Sequence, residues 1–213
     1  MKKRLRKIAL VAKADKPAAR RIVQQAAKLA LDAGLAPITD DDTARLAKLK
    51  LPALKDPSEL SRLADLIMVF GGDGTMLHWA RNTAGSSTPI LGVNIGGMGF
   101  LTAASGKDLA KAFKAIAAGE FKIEPRTLLS AKGQNGDGKI QLKAMNDIVI
   151  SRGSAPRMIR VEVKVDGEVL TVYRCDGLVI STSTGSTAYS LAASGAIVAP
   201  GAGVISILSL IHI

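Results

Sequence analysis

The sequence predicts an α/β amino-terminal domain on a parallel, Rossmann-like sheet, followed by a mostly-β carboxy-terminal domain of β-sandwich type, incomplete in this chain. Three observations carry that expectation. Up to Gly119, short apolar runs alternate with stretches of helical spacing, the pattern of strands joined by covering helices. Beyond Phe121 the helical period fades. Val161, Val163 and Val165 then alternate with Glu162 and Lys164, the period of a half-buried strand. The boundary is expected near Glu120, giving domains 1–120 and 121–213.

Taken in order, Ile8 to Ala12 is an apolar run of strand length behind the basic flank MKKRLRK. Pro17 to Ala33 places Ala18, Ile22, Ala26, Leu29 and Ala30 at helical spacing and stops at Gly34, a residue suited to a helix end. Ala36 to Thr39 is extended. Asp40 to Asp42 could hold a metal, but capping of a helix over Thr43 to Lys50 is favoured. Leu66 to Phe70 is a strand, followed by the turn GGDG and a helix to about Asn82. Pro89 to Val93 is a strand running into NIGGMGFL, and Lys107 to Ala118 is an amphipathic helix. In the second domain, strands are expected over 128–131, 140–144, 148–152, 158–165, 169–173 and 177–181. Asp166-Gly167 and Asn135 to Gly138 are turns.

The composition bounds the function. With 213 residues and 47% hydrophobic content the chain can bury one large core or two small ones. Aromatics are only 3%, so Leu, Ile, Val and Ala must fill it. The net charge of +11 suits an anionic partner such as a phosphate or nucleotide. The few aromatics are not interleaved with basic residues and no zinc-finger, RNP or basic-zipper spacing occurs, so nucleic acid is not the expected partner. The first apolar run is too short for a signal peptide, no stretch approaches a membrane span, and Cys175 is the single cysteine, which fits a reducing cytoplasm.

Residues Val69 to Leu77, VFGGDGTML, carry the sharpest chemical signal. An apolar run stops at Gly71 and Gly72; Asp73, Gly74 and Thr75 follow; then helical spacing resumes at Met76 and Leu77. Glycines let backbone N–H groups approach an anion, and a helix N-terminus adds partial positive charge. A carboxylate there would repel a phosphate unless it took a proton or handled a metal. A plain capping aspartate is the alternative. The pattern is not the Walker motif, because no Lys-Ser/Thr pair follows. Three other segments stand out: Gly92 to Thr102 (GVNIGGMGFLT), the pair Asn146-Asp147, and Asp176 to Tyr189 (DGLVISTSTGSTAY) with six Ser/Thr hydroxyls.

GGDGT, NIGGMGFLT, Asn146-Asp147 and DGLVISTSTGSTAYS, in this order, resemble the bacterial NAD kinase family over almost the whole chain, from Lys7 to about Pro200. GGDGT alone is shared with diacylglycerol and other lipid kinases; TGSTAYS with the upstream Asn-acidic pair is far more specific. The resemblance implies phosphorylation of the adenosine ribose 2′-hydroxyl of NAD, with ATP or polyphosphate as donor and a divalent metal, magnesium being expected. It implies that Asp73 accepts the hydroxyl proton, with Gly71, Gly72, Gly74 and Thr75 around the ligand and Phe100 beside the adenine. His78 is a ligand contact or a solvent-facing helix residue. Asn146 and Asp147 would hold adenine and ribose, Asp147 being one methylene shorter than the usual Glu. Arg157 and Arg174 are ligand contacts or surface charges. Asp176 would face the nicotinamide end, and Thr187, Ala188, Tyr189, Ser190, Leu191 and Ala192 would wrap the dinucleotide. No metal-ligating side chain is assigned.

Departures from the family are also legible. Where many relatives read SLSAGGP, this chain reads SLAASGA from Ser190 to Ala196, so Ala192 lacks a hydroxyl and Ser194 replaces a glycine. Leu208 to Ile213, LSLIHI, departs from the family and resembles a translated transposon end, so a truncated chain is expected. A homo-oligomer, dimer or tetramer, is expected for the full-length protein. The alternatives are a lipid kinase, a non-catalytic dinucleotide-binding fragment, and a basic nucleic-acid binder.

Overall fold

A computed structural model describes residues 5–13, 18–97, 99–154 and 157–211. The chain divides into two compact units, 1–123 and 124–213.

The first unit carries a parallel sheet of β1 (Lys7–Ala12), β2 (Ala36–Asp40), β3 (Ala53–Leu54), β4 (Leu66–Gly71), β5 (Ile90–Asn94) and β6 (Ala104–Ser105), in the order β3-β2-β1-β4-β5-β6. The apolar runs of β1 and β4 do not alternate because both sheet faces are covered. Ile8, Leu10, Leu66, Met68 and Phe70 pack with α1 (Ala19–Asp32) and α5 (Leu109–Ala118). Ala9, Val11, Ile67 and Val69 pack with Leu60 of α3 (Pro57–Leu63) and with Met76 and Trp79 of α4 (Asp73–Asn82).

Helix starts follow local chemistry. Asp40 caps α2 (Asp41–Ala47): its carboxylate accepts from Thr43 N at 3.3 Å, the capping role favoured over metal binding. The helix begins two residues before the expected Thr43 because that cap sits at Asp40. Helix α3 was not expected, although Asp56 caps it and Pro57 occupies its first turn, where a missing N–H costs nothing. The expected start of the first helix at Pro17 lies outside the described residues. Gly34 and Gly119 end α1 and α5 with φ of 72° and 69°, in the left-handed region.

The second unit is mostly β. Strands β7 (Leu129–Asn135) and β8 (Gly138–Ala144) form one hairpin, and β10 (Ile159–Val165) and β11 (Glu168–Cys175) form another. The second hairpin turns at Asp166-Gly167, both at positive φ, as a two-residue turn of matching twist requires. Strands β9 (Asp147–Ser151), β12 (Gly177–Thr182) and β13 (Ile205–Leu210) form an antiparallel sheet in the order β13-β12-β9. Strand β13 was not expected; Leu208, Ser209 and Leu210 pair with Val179, Leu178 and Gly177. Residues 212 and 213 of the LSLIHI segment are not among the described residues.

Candidate functional site

In a 3-2-1-4-5-6 sheet the strand order reverses between β1 and β4, and the crevice beyond their carboxyl ends is where such sheets bind ligands. The GGDG turn leaves β4 at that end. Asp73 opens α4, with Gly72 as the preceding extended residue. Its carboxylate is held from across the turn: Phe100 N donates to Oδ2 at 2.9 Å and Leu101 N to Oδ1 at 3.0 Å. Both oxygens keep lone pairs for a further donor, since an ionised carboxylate offers about four acceptor sites.

The glycines sort into two kinds. A Cβ on Gly71 would run into the Thr75 side chain, and one on Gly99 into the Asp73 carboxylate. These two are needed by the fold of the site itself. Gly72 and Gly74 have no atom within 4 Å of a built Cβ, and neither adopts positive φ. Neither neighbouring atoms nor a positive φ therefore requires glycine at 72 or 74, and the open space over the helix start is available to a ligand. Thr75 is buried. His78, one turn beyond Gly74, is exposed, with Nε2 at 2.9 Å from Asn82 Nδ2. Phe100 is 75% exposed, an apolar ring with its face open.

Within the flagged segment Gly92 to Thr102, the sequence did not single out Asn94. Asn94 ends β5 and ties the glycine loop in both directions: its Nδ2 donates to Gly97 O at 2.6 Å, and its Oδ1 accepts from Gly96 N at 2.8 Å. That loop leads to the two amides on Asp73. The signal was an Asn directly before Ile-Gly-Gly, since Asn side chains bond backbone two residues on.

In the second unit the Ser/Thr-rich run 181–187 mostly binds its own backbone. Thr182 Oγ1 donates to Met145 O at 2.6 Å and accepts from Gly185 N at 3.0 Å. Ser183 Oγ donates to Pro200 O at 3.0 Å, and Ser186 Oγ to Ser183 O at 2.7 Å while accepting from Val198 N at 3.0 Å. These hydroxyls, expected to offer donors and acceptors to a nucleotide, instead stitch residues 145–146 and 198–200 to the strand end. A Cβ on Gly185 would strike the Asn146 carbonyl, so the loop needs that glycine.

Beside this loop Asn146 Oδ1 and Thr184 Oγ1 are buried without a hydrogen bond, as are Ser206 Oγ and Ser209 Oγ on β13. Buried polar groups are normally bonded, so an orphan of this kind marks a place where a partner belongs. Thr184 was not singled out from the sequence, where it is indistinguishable from its neighbours. Asp147 starts β9, opposite Ser181 of β12. Desolvation by burial pushes its carboxyl above the ordinary range.

The remaining expected residues are spread over the second unit. Arg157 and Arg174 are exposed, Arg174 near the end of β11. Asp176 is paired with Arg152 at 2.7 Å. Thr187 closes a 3-10 turn (Thr184–Thr187) and its hydroxyl donates to Thr184 O at 3.3 Å. Ala188 leads into α6 (Tyr189–Ala192), in which Tyr189 and Leu191 are exposed, Ala192 is exposed, and Ser190 is buried against Gly195.

Among the described residues no three His, Cys, Asp or Glu side chains converge. The side chains present do not fit a protein cage for a divalent ion, and Asp73 is already engaged by two amides. Nor, among the described residues, is any helix long and apolar enough to cross a membrane.

The profile of the ATP-NAD kinase N-terminal domain matches residues 8–121, and that of the ATP-NAD kinase C-terminal domain matches residues 145–212, a range that includes β13. The NAD kinase of Geotalea daltonii is 36% identical over 197 residues, covering 92% of this chain and 69% of that protein. The NAD kinase of Heliobacterium modesticaldum is 46% identical over 158 residues, covering 74% of this chain and 55% of the relative. The crystal structure of yeast NADH kinase complexed with NADH superposes with a TM-score of 0.87 at 28% identity, covering 97% of this chain and 66% of that one. An NAD kinase from Archaeoglobus fulgidus in complex with ATP gives 0.69 at 29% identity, covering 96% and 72%. On the first unit's acid-bearing glycine turn, the second unit's orphaned polar groups and these matches together, the chain belongs to the ATP-NAD kinase family.

Proposed function

We propose that this chain carries the machinery for transferring the γ-phosphoryl group of ATP to the adenosine ribose 2′-hydroxyl of NAD. The observation that supports this most directly is the placement of Asp73. Its carboxylate is fixed by the amides of Phe100 and Leu101, at the start of a helix where Gly72 and Gly74 leave the approach open. A carboxylate held in this way can accept a hydrogen bond from a sugar hydroxyl and take its proton as the oxygen attacks phosphorus. The new O–P bond forms as the bond from phosphorus to the leaving ADP oxygen breaks, and the proton ends on Asp73. Placement and charge neutralisation carry such a transfer more than covalent chemistry does.

In this reading the backbone at Gly71, Gly72, Gly74 and Thr75 shapes the approach, and Phe100 offers its open ring to the adenine. Asn146 Oδ1 and Thr184 Oγ1 gain the partners they lack from the nucleoside, and Asp147 takes a ribose hydroxyl. His78, Arg157, Arg174 and Asp176 are polar contacts, and Thr187 to Ala192 lies along the dinucleotide. A divalent ion would supply charge neutralisation at the donor's phosphates; no side chain among the described residues is assigned to hold it.

The test is NADP formation from NAD and ATP by the full chain. Asp73→Asn is expected to lower turnover by about 10²–10⁴-fold while NAD still binds; undiminished turnover would remove Asp73 from this role. Inorganic polyphosphate run in place of ATP identifies the donor.

A further inference from the structure

We infer that Lys13 holds the phosphate oxygens of the donor beside the GGDG turn, as the cation that the turn itself lacks. This deepens the proposed function by naming a residue at its donor end, and it rests on that reading for the identity of the anion. Between Arg62 and Arg81 the sequence holds no lysine or arginine. Strand β4, the turn and most of α4 therefore bring an acid, Asp73, and neither an ammonium nor a guanidinium group. Phosphoryl transfer beside a carboxylate sets like charges together, and positive charge placed beforehand offsets their repulsion.

The fold supplies that charge from a distant part of the chain. Strands β1 and β4 are parallel neighbours, with Ala12 level with Phe70. Lys13, the next residue, comes level with Gly71 at the carboxyl end of the sheet, where the strand order reverses. The covering helices fix which side it takes. Ile8, Leu10 and Ala12 pack in the cluster of α1 and α5, whereas Ala9 and Val11 pack with Met76 and Trp79 of α4. Strand side chains alternate between faces, so Lys13 follows Ala9 and Val11 onto the α4 side. On that side a Cβ at Gly71 would meet Thr75 in the first turn of α4, and Gly72 and Gly74 leave space open. Arg20 and Arg21 belong to α1, which packs on the opposite face.

A separate observation fixes the backbone from which Lys13 departs. Thr43, fully buried at the start of α2, clasps the end of β1: its Oγ1 accepts from Ala12 N at 2.7 Å and donates to Ala12 O at 3.3 Å. The strand end is thus held up to the residue before Lys13, which is itself exposed. A lysine suits the place. Its compact charge carries three donors on a flexible stem, which matches a row of phosphate oxygens.

The experiment is calorimetric titration of the full chain with ATP, without NAD, together with steady-state NADP formation. Lys13→Gln is expected to weaken ATP binding about tenfold, as loss of a charge-assisted contact should, and to raise KM for ATP with little change in KM for NAD. Its unfolding midpoint should match wild type, since the side chain is exposed. Lys13→Arg, which keeps the charge, should recover most of the affinity. Lys7→Gln removes the same charge from the opposite end of β1 and should leave ATP binding unchanged. Equal weakening by Lys7→Gln and Lys13→Gln would show a general effect of charge and overturn the assignment. So would ATP binding by Lys13→Gln as tight as wild type, an equal rise in both KM values, or absence of ATP binding by wild type. Asp73→Asn should lose turnover yet bind ATP no more weakly than wild type. A wild-type chain that binds ATP through Lys13 but forms no NADP would refute the kinase reading and leave Lys13 in place, so the two failures are read separately.

Discussion

Ser194 occupies a backbone conformation that suits glycine. Its φ is 65°, in the left-handed region, where a Cβ crowds the following carbonyl. The sequence flagged this position only as a serine where relatives carry glycine; the dihedral supplies the physical reason. Ser194→Gly is expected to stabilise the chain by about 0.5–1 kcal/mol, measured by urea denaturation, with no loss of NAD binding. The two kinds of glycine in the GGDG turn make a paired expectation. Gly71→Ala pushes a methyl into Thr75 and should lower the unfolding midpoint. Gly72→Ala, with nothing around its Cβ, should leave stability within about 0.5 kcal/mol and weaken nucleotide binding instead. Equal effects of the two on binding and stability would contradict the division. That the turn held glycine was plain in the sequence. Which glycine serves packing and which leaves space open was not, because the answer depends on where Thr75 lies.

Among the elements, the loop from Asn94 to Leu101 shows how a site is assembled from a distance. Asn94 closes the loop on Gly96 and Gly97, and the loop delivers two amides to a carboxylate on another element. Asn94→Ala removes both side-chain bonds. It is expected to lower kcat for NADP formation about tenfold with little change in KM for NAD, and to speed amide hydrogen exchange at Phe100 and Leu101. Unchanged exchange at these two amides would show that the loop holds its shape without Asn94. The run 181–187 teaches the reverse lesson. Its hydroxyl density suggested a ligand surface, yet most of those hydroxyls bond to carbonyls of residues 145, 146, 183, 198 and 200. A linear sequence does not show which loop returns to cover a strand end, so hydroxyls used inside and hydroxyls left for a ligand look alike.

For the whole molecule, the two units differ in how much they bury. Both named core clusters lie in the first unit. In the second, Val149, Ile150, Val165, Val169, Leu170 and Ile205 are exposed. Burial of apolar area is the main stabilising term, so the first unit is expected to be the more stable. Amide exchange should find the slowest amides in β1 and β4 and faster exchange throughout β7–β13; the opposite ranking would refute this. The pH dependence has a definite sign. Desolvation raises the carboxyls of Asp40 and Asp147 in the folded chain, for Asp40 against hydrogen bonds from Thr43 that lower it. A raised carboxyl contributes stability that is present below the ordinary carboxylate range and lost as pH rises through the folded value. Asp147→Asn is therefore expected to raise the unfolding midpoint of the ligand-free chain near neutral pH, with the gain shrinking towards about pH 4. A constant difference across that range would remove desolvation of Asp147 as the cause.

The sequence by itself determined what local chemistry can encode. Helical spacing and caps set α1, α2, α4 and α5; uninterrupted apolar runs identified β1 and β4; and a glycine turn carrying one acid pointed to phosphoryl chemistry. It also contained the Asp56-Pro57 start of α3, a signal that the weak spacing around it obscured. The tertiary structure alone decided the order of strands about β1 and β4, the addition of β13 to β12, the amides on Asp73, the orphaned atoms of Asn146 and Thr184, and the placing of Lys13 level with Gly71. Each of these depends on contacts between residues distant along the chain. Such contacts are selected by simultaneous burial and hydrogen-bond satisfaction, and neither leaves a periodic trace in the sequence.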